Sequence, residues 1–181
     1  MFVQTEITPN PNSLKFIPGK VVSSAGSFEV TKNDDVNNEL IRNILSVNGV
    51  EGIFLSKDFI SVNKNDEYTW DEIRHIVISH INEFYASGKE FVINSDLNEK
   101  SESLDLDEIE KRIAQLLEEK IRPAIARDGG NIKFKEFKDG VVKVQLQGSC
   151  SGCPSSTMTL KQGVQNLLCH YLPEVKKVEA I

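Results

Sequence analysis

Apolar residues along the chain fall into two rhythms, and the points where one gives way to the other mark the elements. Leu40, Ile41, Ile44 and Leu45 repeat at helical spacing, as do Trp70, Ile73, Val77, Ile81 and Phe84, so the first half is predicted to hold two helices. Between them Ile53-Phe54-Leu55 and Phe59-Ile60-Ser61-Val62 flank Ser56-Lys57-Asp58, the pattern of a hairpin. Leu14 to Phe16 and Val21 to Val30 read as short strands broken by Pro18-Gly19 and Ala25-Gly26, and Gly49 is expected to end the first helix. Pro9-Asn10-Pro11-Asn12 reads as a turn and Trp70 as a core anchor.

The second half repeats the same vocabulary in another order. Ile109, Ile113, Leu116, Leu117 and Ile121 form a one-sided helical stripe, closed by Arg127-Asp128-Gly129-Gly130, where glycine supplies the left-handed exit. Ile132 to Phe137 and Val141 to Leu146 make a hairpin around Lys138-Asp139-Gly140. A helix burying Leu160, Val164, Leu167, Leu168 and Tyr171 follows, then a short strand through Val175 and Val178. The predicted fold class is α+β: two small domains, the second running helix, strand, strand, helix, strand.

Residues 95–108 separate the halves. They combine Ser, Asn and acids with three spaced leucines, too little apolar surface to offset the entropy of ordering them. The expected organisation is a domain over 1–94, a flexible acidic tether over 95–105 and a domain over 106–181, with Ser103 or Asp105 capping the first helix. Net charge is −5 over 1–94, −6 over 95–110 and +5 over 111–181. An acidic front half with single, spaced aromatics argues against nucleic acid as a partner, since phosphate contacts need a clustered basic surface. No apolar run approaches the about 18 residues of a membrane span. The first residues lack the pattern of a secretory signal or an Arg-rich transit peptide, so the expected compartment is a bacterial-type cytoplasm, with a mitochondrial matrix as the alternative.

The uncommon residue types converge on Gln147-Gly148-Ser149-Cys150-Ser151-Gly152-Cys153-Pro154-Ser155-Ser156-Thr157-Met158. In a reducing compartment a C-x-x-C serves metal or redox chemistry. Cys150 and Cys153, with Gly152 between them, allow both sulfurs to face one point, and Pro154 suits the first position of a helix whose positive end favours thiolate. Two thiolates are half of the four ligands that a cluster or a structural zinc takes. The other candidates have poor cases: His75 and His80 are five apart, off a single helical face, while Cys169, next to His170, reads as a small buried hydrophobe. A second copy of the chain closes the ligand set most simply, which predicts a metal-bridged homodimer.

Arg122-Pro123, Asp128-Gly129-Gly130, Gly148 to Ser156, Thr159-Leu160 and Pro173-Glu174-Val175 resemble the C-terminal domain of Nfu-type (NifU-like) iron–sulfur scaffold proteins. Thr8-Pro9-Asn10-Pro11-Asn12-Ser13-Leu14-Lys15-Phe16, Pro18-Gly19 and Asp58 to Val62 resemble the family's N-terminal domain. The resemblance implies a scaffold or carrier that holds a [4Fe–4S] cluster between two subunits through Cys150 and Cys153 of each. It implies donation from an upstream assembly machinery and delivery to apo-proteins, with the N-terminal domain recognising partners or modulating its neighbour. A cluster shared by two chains is lost when the dimer opens, which suits delivery better than electron transport.

Three rival readings use the same residues. A thiol oxidoreductase places C-x-x-C at a helix start, but the roughly 75 residues after the tether are too few for that fold's larger sheet, and no Trp flanks the motif. A zinc-bridged structural dimer would use the same four thiolates. A two-domain interaction protein would make the C-x-x-C incidental. Asp34-Asp35 and Asp71-Glu72 are explained by a turn and a helix start, and no phosphate loop or Ser/His/Asp order is present, so the chain is not expected to be an enzyme. The cysteine loop is expected to be exposed at one edge of the second domain.

Overall fold

The computed structural model describes residues 2–93, 107–151 and 154–181, by backbone alone over 154–156. The chain separates into two compact units, Met1–Glu99 and Lys100–Ile181, and both are α+β. The expected tether, with Ser103 and Asp105, lies outside the described residues.

In the first unit, strands β1 (Gln4–Ile7), β2 (Ser13–Ile17), β3 (Phe28–Thr31), β4 (Val50–Leu55) and β5 (Ile60–Lys64) form a sheet ordered β1-β2-β5-β4-β3. Every neighbouring pair is antiparallel. The hairpin expected around Ser56-Lys57-Asp58 is β4 to β5, with Ile53 opposite Val62 and Leu55 opposite Ile60. Helices α1 (Glu39–Leu45) and α2 (Trp70–Ala86) place the predicted stripes against it, so that Phe16, Ile41, Ile53, Val62, Val77 and Ile81 share one core. Burial of those side chains supplies most of the unit's driving force.

The start of α2 is fixed by a capping box, because the Glu72 carboxylate accepts from both the Thr69 amide and the Thr69 hydroxyl, each at 2.8 Å. Those bonds favour the charged form and hold the Glu72 carboxyl below the usual range. Trp70 is half-buried: its ring meets Phe16 edge-on at 6.4 Å and its indole N–H donates to the Pro11 carbonyl at 2.9 Å, tying the predicted turn at 9–12 to the helix.

Beyond α2 a strap returns across the unit. The Tyr85 hydroxyl donates to the Val21 carbonyl at 3.0 Å, and burial pushes that phenol up to about 12. The Val92 and Ile93 amides donate to the Val22 carbonyl at 2.9 and 3.2 Å, and the Ser24 amide donates to the Ile93 carbonyl at 3.1 Å. Asn38 joins the strap to α1: its Oδ1 caps the helix by accepting from the Ile41 amide at 3.1 Å, and its Nδ2 donates to the Val92 carbonyl at 2.6 Å. The Lys89 ammonium adds an ion pair to Glu39 at 2.6 Å.

The sequence reading needs correcting at three places in this unit. Strand β1 was not anticipated, because an edge strand with an exposed Ile7 carries no apolar alternation. Of Val21 to Val30 only Phe28–Thr31 is strand; Val22 is buried by the strap instead. Helix α1 stops at Leu45 with Ser46 as its C-cap, and Gly49 serves the turn into β4. There it holds φ +88°, and the Tyr68 ring lies 2.6 Å from where a Cβ would stand.

In the second unit α3 (Glu108–Leu116) is capped by Asp107, not by Ser103 or Asp105 as expected, and the Asp107 amide donates to the Glu110 carboxylate at 3.0 Å. The helical stripe continues through a π turn (Leu117–Ile121) into α4 (Arg122–Arg127), burying Ile113, Leu117, Ile121 and Ile125. Pro123 accounts for the widened turn: it has no N–H for the carbonyl four residues back and its ring would strike that turn. The Arg122 amide reaches the Leu117 carbonyl instead. Strands β6 (Gly130–Lys138) and β7 (Val141–Gly148) form the predicted hairpin, with Asp139 at φ +52° and Gly140 at φ +81°, the two positive φ values of a tight hairpin turn. Helix α5 (Pro154–Tyr171) crosses back to β8 (Lys177–Ala180), which pairs parallel with β7, giving the order β6-β7-β8. Val164, Leu168, Val175 and Val178 are buried as expected, whereas Tyr171 is 51% exposed and Leu172 takes the core position.

Candidate metal centre

The cysteine loop starts where the hairpin runs out. Gly130 and Gly148 pair at the open end of β6 and β7, and Gly148 turns the chain with φ +69°. The Ser149 amide then donates to the Gly129 carbonyl at 3.2 Å and the Ser149 hydroxyl to the Asp128 carbonyl, so the exit of α4 and the entry to the loop are pinned together. Ser151 folds back, its amide and hydroxyl both reaching the Gly148 carbonyl, at 3.1 and 2.8 Å. From the first turn of α5 the Thr157 hydroxyl donates to the Cys150 carbonyl at 3.1 Å. Cys150 is therefore held from three sides by groups of β7, the α4 exit and α5.

Its thiol faces inward. Cys150 is 6% exposed and joins the core cluster of Ile113, Ile125, Leu146 and Val164, with the Ser149 hydroxyl 3.9 Å from its sulfur. This corrects the expectation of an exposed loop, at least for its first half. The Ser149 and Ser151 hydroxyls are spent on backbone carbonyls, which folds this part of the loop onto the sheet end. Gly152 and Cys153 lie outside the described residues.

Of the remaining candidates, Cys169 and His170 of the same unit do not gather here. His75 and His80 belong to α2 in the other unit, where His75 Nδ1 meets the Asp71 carbonyl at 3.2 Å and His80 Nδ1 stands 4.0 Å from Glu83. Cys169 is half-buried against the second core, and His170 is exposed, edge-on to Tyr171. Among the described residues, no group of three His, Cys, Asp or Glu side chains is placed to hold a metal ion. Three residues around Cys150 were missed as site residues: Gly130, Ser149 and Thr157. The glycine pair at 129–130 was the available signal, read as two turn formers when only Gly129, at φ +79°, is one.

The site is thus a sheet end that pins a cysteine loop against the start of a helix, in the second of two α+β units. Comparison with known proteins specifies the family. Residues 3–88 match the family described as "Scaffold protein Nfu/NifU N terminal" and residues 113–179 the "NifU-like domain". The human protein named "NFU1 iron-sulfur cluster scaffold homolog, mitochondrial" is 42% identical over 183 residues, covering 100% of this chain and 72% of that protein. "NifU-like protein 4, mitochondrial" of Arabidopsis thaliana is 41% identical over 185 residues, covering 99% of this chain and 65% of its own length. A solution structure of a NifU-like protein from Saccharomyces cerevisiae aligns over 51% of this chain and 84% of its own, at 29% identity and TM-score 0.48. The chain belongs to the Nfu family of scaffold proteins, and it spans about two thirds of the length of the curated relatives it matches. Their names place those relatives in mitochondria, the alternative compartment of the sequence reading, and lend the cytoplasmic expectation no support.

Proposed function

We propose that the chain is an iron–sulfur cluster scaffold that binds a [4Fe–4S] cluster between two copies, through Cys150 and Cys153 of each, and releases it to apo-proteins. The cluster is cargo, received from an assembly machinery and passed on by ligand exchange, so no small-molecule turnover is assigned. The observation that carries the reading is the cysteine loop itself, in which two thiols are separated by two residues just before α5. The donor set suits iron and sulfide: thiolates are the ligands such clusters take, and four are needed. With no further ligand group among the described residues, a second copy supplies the other two. Cys150 stands in a turn two residues past the end of β7, its carbonyl bonded from α5 by Thr157, which supports it as one ligand of each pair.

Anaerobic reconstitution with iron and sulfide tests the proposal, read by Mössbauer spectra and by iron, sulfide and protein content of the sized species. A dimer holding four irons and four sulfides, lost in Cys150→Ala and in Cys153→Ala, is expected. A monomer without cluster, or a cluster that survives either substitution, overturns it. Transfer is then followed by mixing the loaded dimer with a cysteine-bearing apo-acceptor; a cluster that never moves would remove the carrier role.

A further inference from the structure

Gly130 is the second glycine of the pair at the α4 exit, and its environment differs from that of its neighbour. Gly129 has φ +79°, so the backbone itself calls for glycine there. Gly130 does not: it is the first residue of β6, paired with Gly148, and its φ lies outside the left-handed region. What a side chain would meet is the Cys150 sulfur, 2.6 Å from an ideal Cβ, with the Gln147 carbonyl oxygen at 2.8 Å and the Cys150 Cβ at 3.2 Å. The missing methyl group is thus the space in which the Cys150 thiol rests.

We infer that Gly130 is a positioning residue for the cluster site: by carrying no Cβ it opens the seat that holds the Cys150 sulfur against the end of the sheet and sets its direction. This rests on Cys150 being a cluster ligand, as proposed above. The seat has a floor that cannot retreat, because the Gln147 carbonyl belongs to the β6 to β7 ladder. A Cβ at 130 meets both, and the sulfur, the closer contact and the end of a rotatable side chain, is the one that yields.

Three readouts on the full chain test this. Gly130→Ala is compared with the native protein and with Gly163→Ala, a helix glycine with nothing within 4 Å of its Cβ position. First, in the apo-protein, peptide-resolved alkylation of Cys150 by iodoacetamide at one pH is expected to be at least about tenfold faster in Gly130→Ala, with Cys169 unchanged. Second, iron bound after reconstitution is expected to fall by more than about half, since a ligand misplaced by about 1 Å weakens the site. Third, in thermal unfolding, Gly130→Ala/Cys150→Ala is expected to melt above Gly130→Ala, because removing the sulfur removes the closer of the two contacts under 3.0 Å and leaves only the Gln147 carbonyl; this comparison holds even if the single variant is partly unfolded. Native labelling and iron content in Gly130→Ala, or no recovery in the double variant, overturns the inference. If the native chain takes up no iron, the functional reading fails first, and recovery in the double variant then leaves Gly130 a packing contact only, which also overturns its role toward a cluster.

Discussion

Asn38 carries two jobs with one side chain, and the two can be measured apart. Its Oδ1 caps α1 and its Nδ2 satisfies the carbonyl of Val92, a residue 4% exposed. Loss of an N-cap costs about 1 kcal/mol. A buried carbonyl left without its donor costs a further 1–2 kcal/mol, roughly. Asn38→Ala is therefore expected to destabilise the first unit by about 2–3 kcal/mol, whereas Asn38→Ser, which still caps but cannot reach Val92, loses only the second part. Two units in one chain rule out a single two-state transition as the readout. Trp70 resolves this: it is the only tryptophan, lies in the first unit, and packs on Phe16, so its fluorescence in urea follows that unit alone. With a urea slope of about 1–2 kcal/mol per molar, the Asn38→Ala midpoint should drop by about 1–3 M. Equal losses in Ala and Ser would refute the cap, and a change under about 0.5 kcal/mol in both would refute the strap as a stabilising element.

Three further outcomes are expected. Gly163→Ala, on the open face of α5, should stabilise the second unit by about 0.5–1 kcal/mol in calorimetry without altering iron uptake. Leu168→Ala, fully buried, should cost about 2–5 kcal/mol, while Tyr171→Ser, first read as a core position, should stay within about 1 kcal/mol; the reverse order would restore the original helix face. Glu72 is held low by the Thr69 amide first and its hydroxyl second, so its contribution is complete above the unfolded glutamate value of about 4.3 and is lost as pH falls through its lower folded value. Acid titration of Trp70 fluorescence should then be shallower in Glu72→Gln, which keeps the capping contacts without titrating; an unchanged slope would show that the bond is not formed in solution.

Elements with a strong local period were readable in advance. The stripes of α2 and α3, the Ser56-Lys57-Asp58 hairpin and the Asp139-Gly140 turn each follow from side chains close in sequence, and the structure forms all of them. What escaped depends on partners far along the chain. Strand β1 exists because β2 offers an edge, the strap because Val22 and Asn38 offer partners, and the parallel pairing of β8 because α5 carries the chain back across the sheet. The π turn follows from Pro123 acting on carbonyls one turn earlier. At the candidate site, the cysteine spacing named Cys150 and Cys153, but nothing in the local pattern revealed that Cys150 turns inward onto Gly130, twenty residues earlier.

The parallel strand β8 has a consequence for synthesis. It lies on the far side of α5 from both cysteines, so the ribosome makes the thiols well before the last piece of the sheet. At about 5–20 residues per second, the roughly 30 residues from Cys150 to Ala180 take about 2–6 s to make. Val164 and Leu168 are added during that interval and Val178 only at its end, and all three belong to the core that Cys150 joins. Cys150 shares that core, so the burial of its thiol is a late event: it is complete only once α5 and the four residues of β8 have been made and packed.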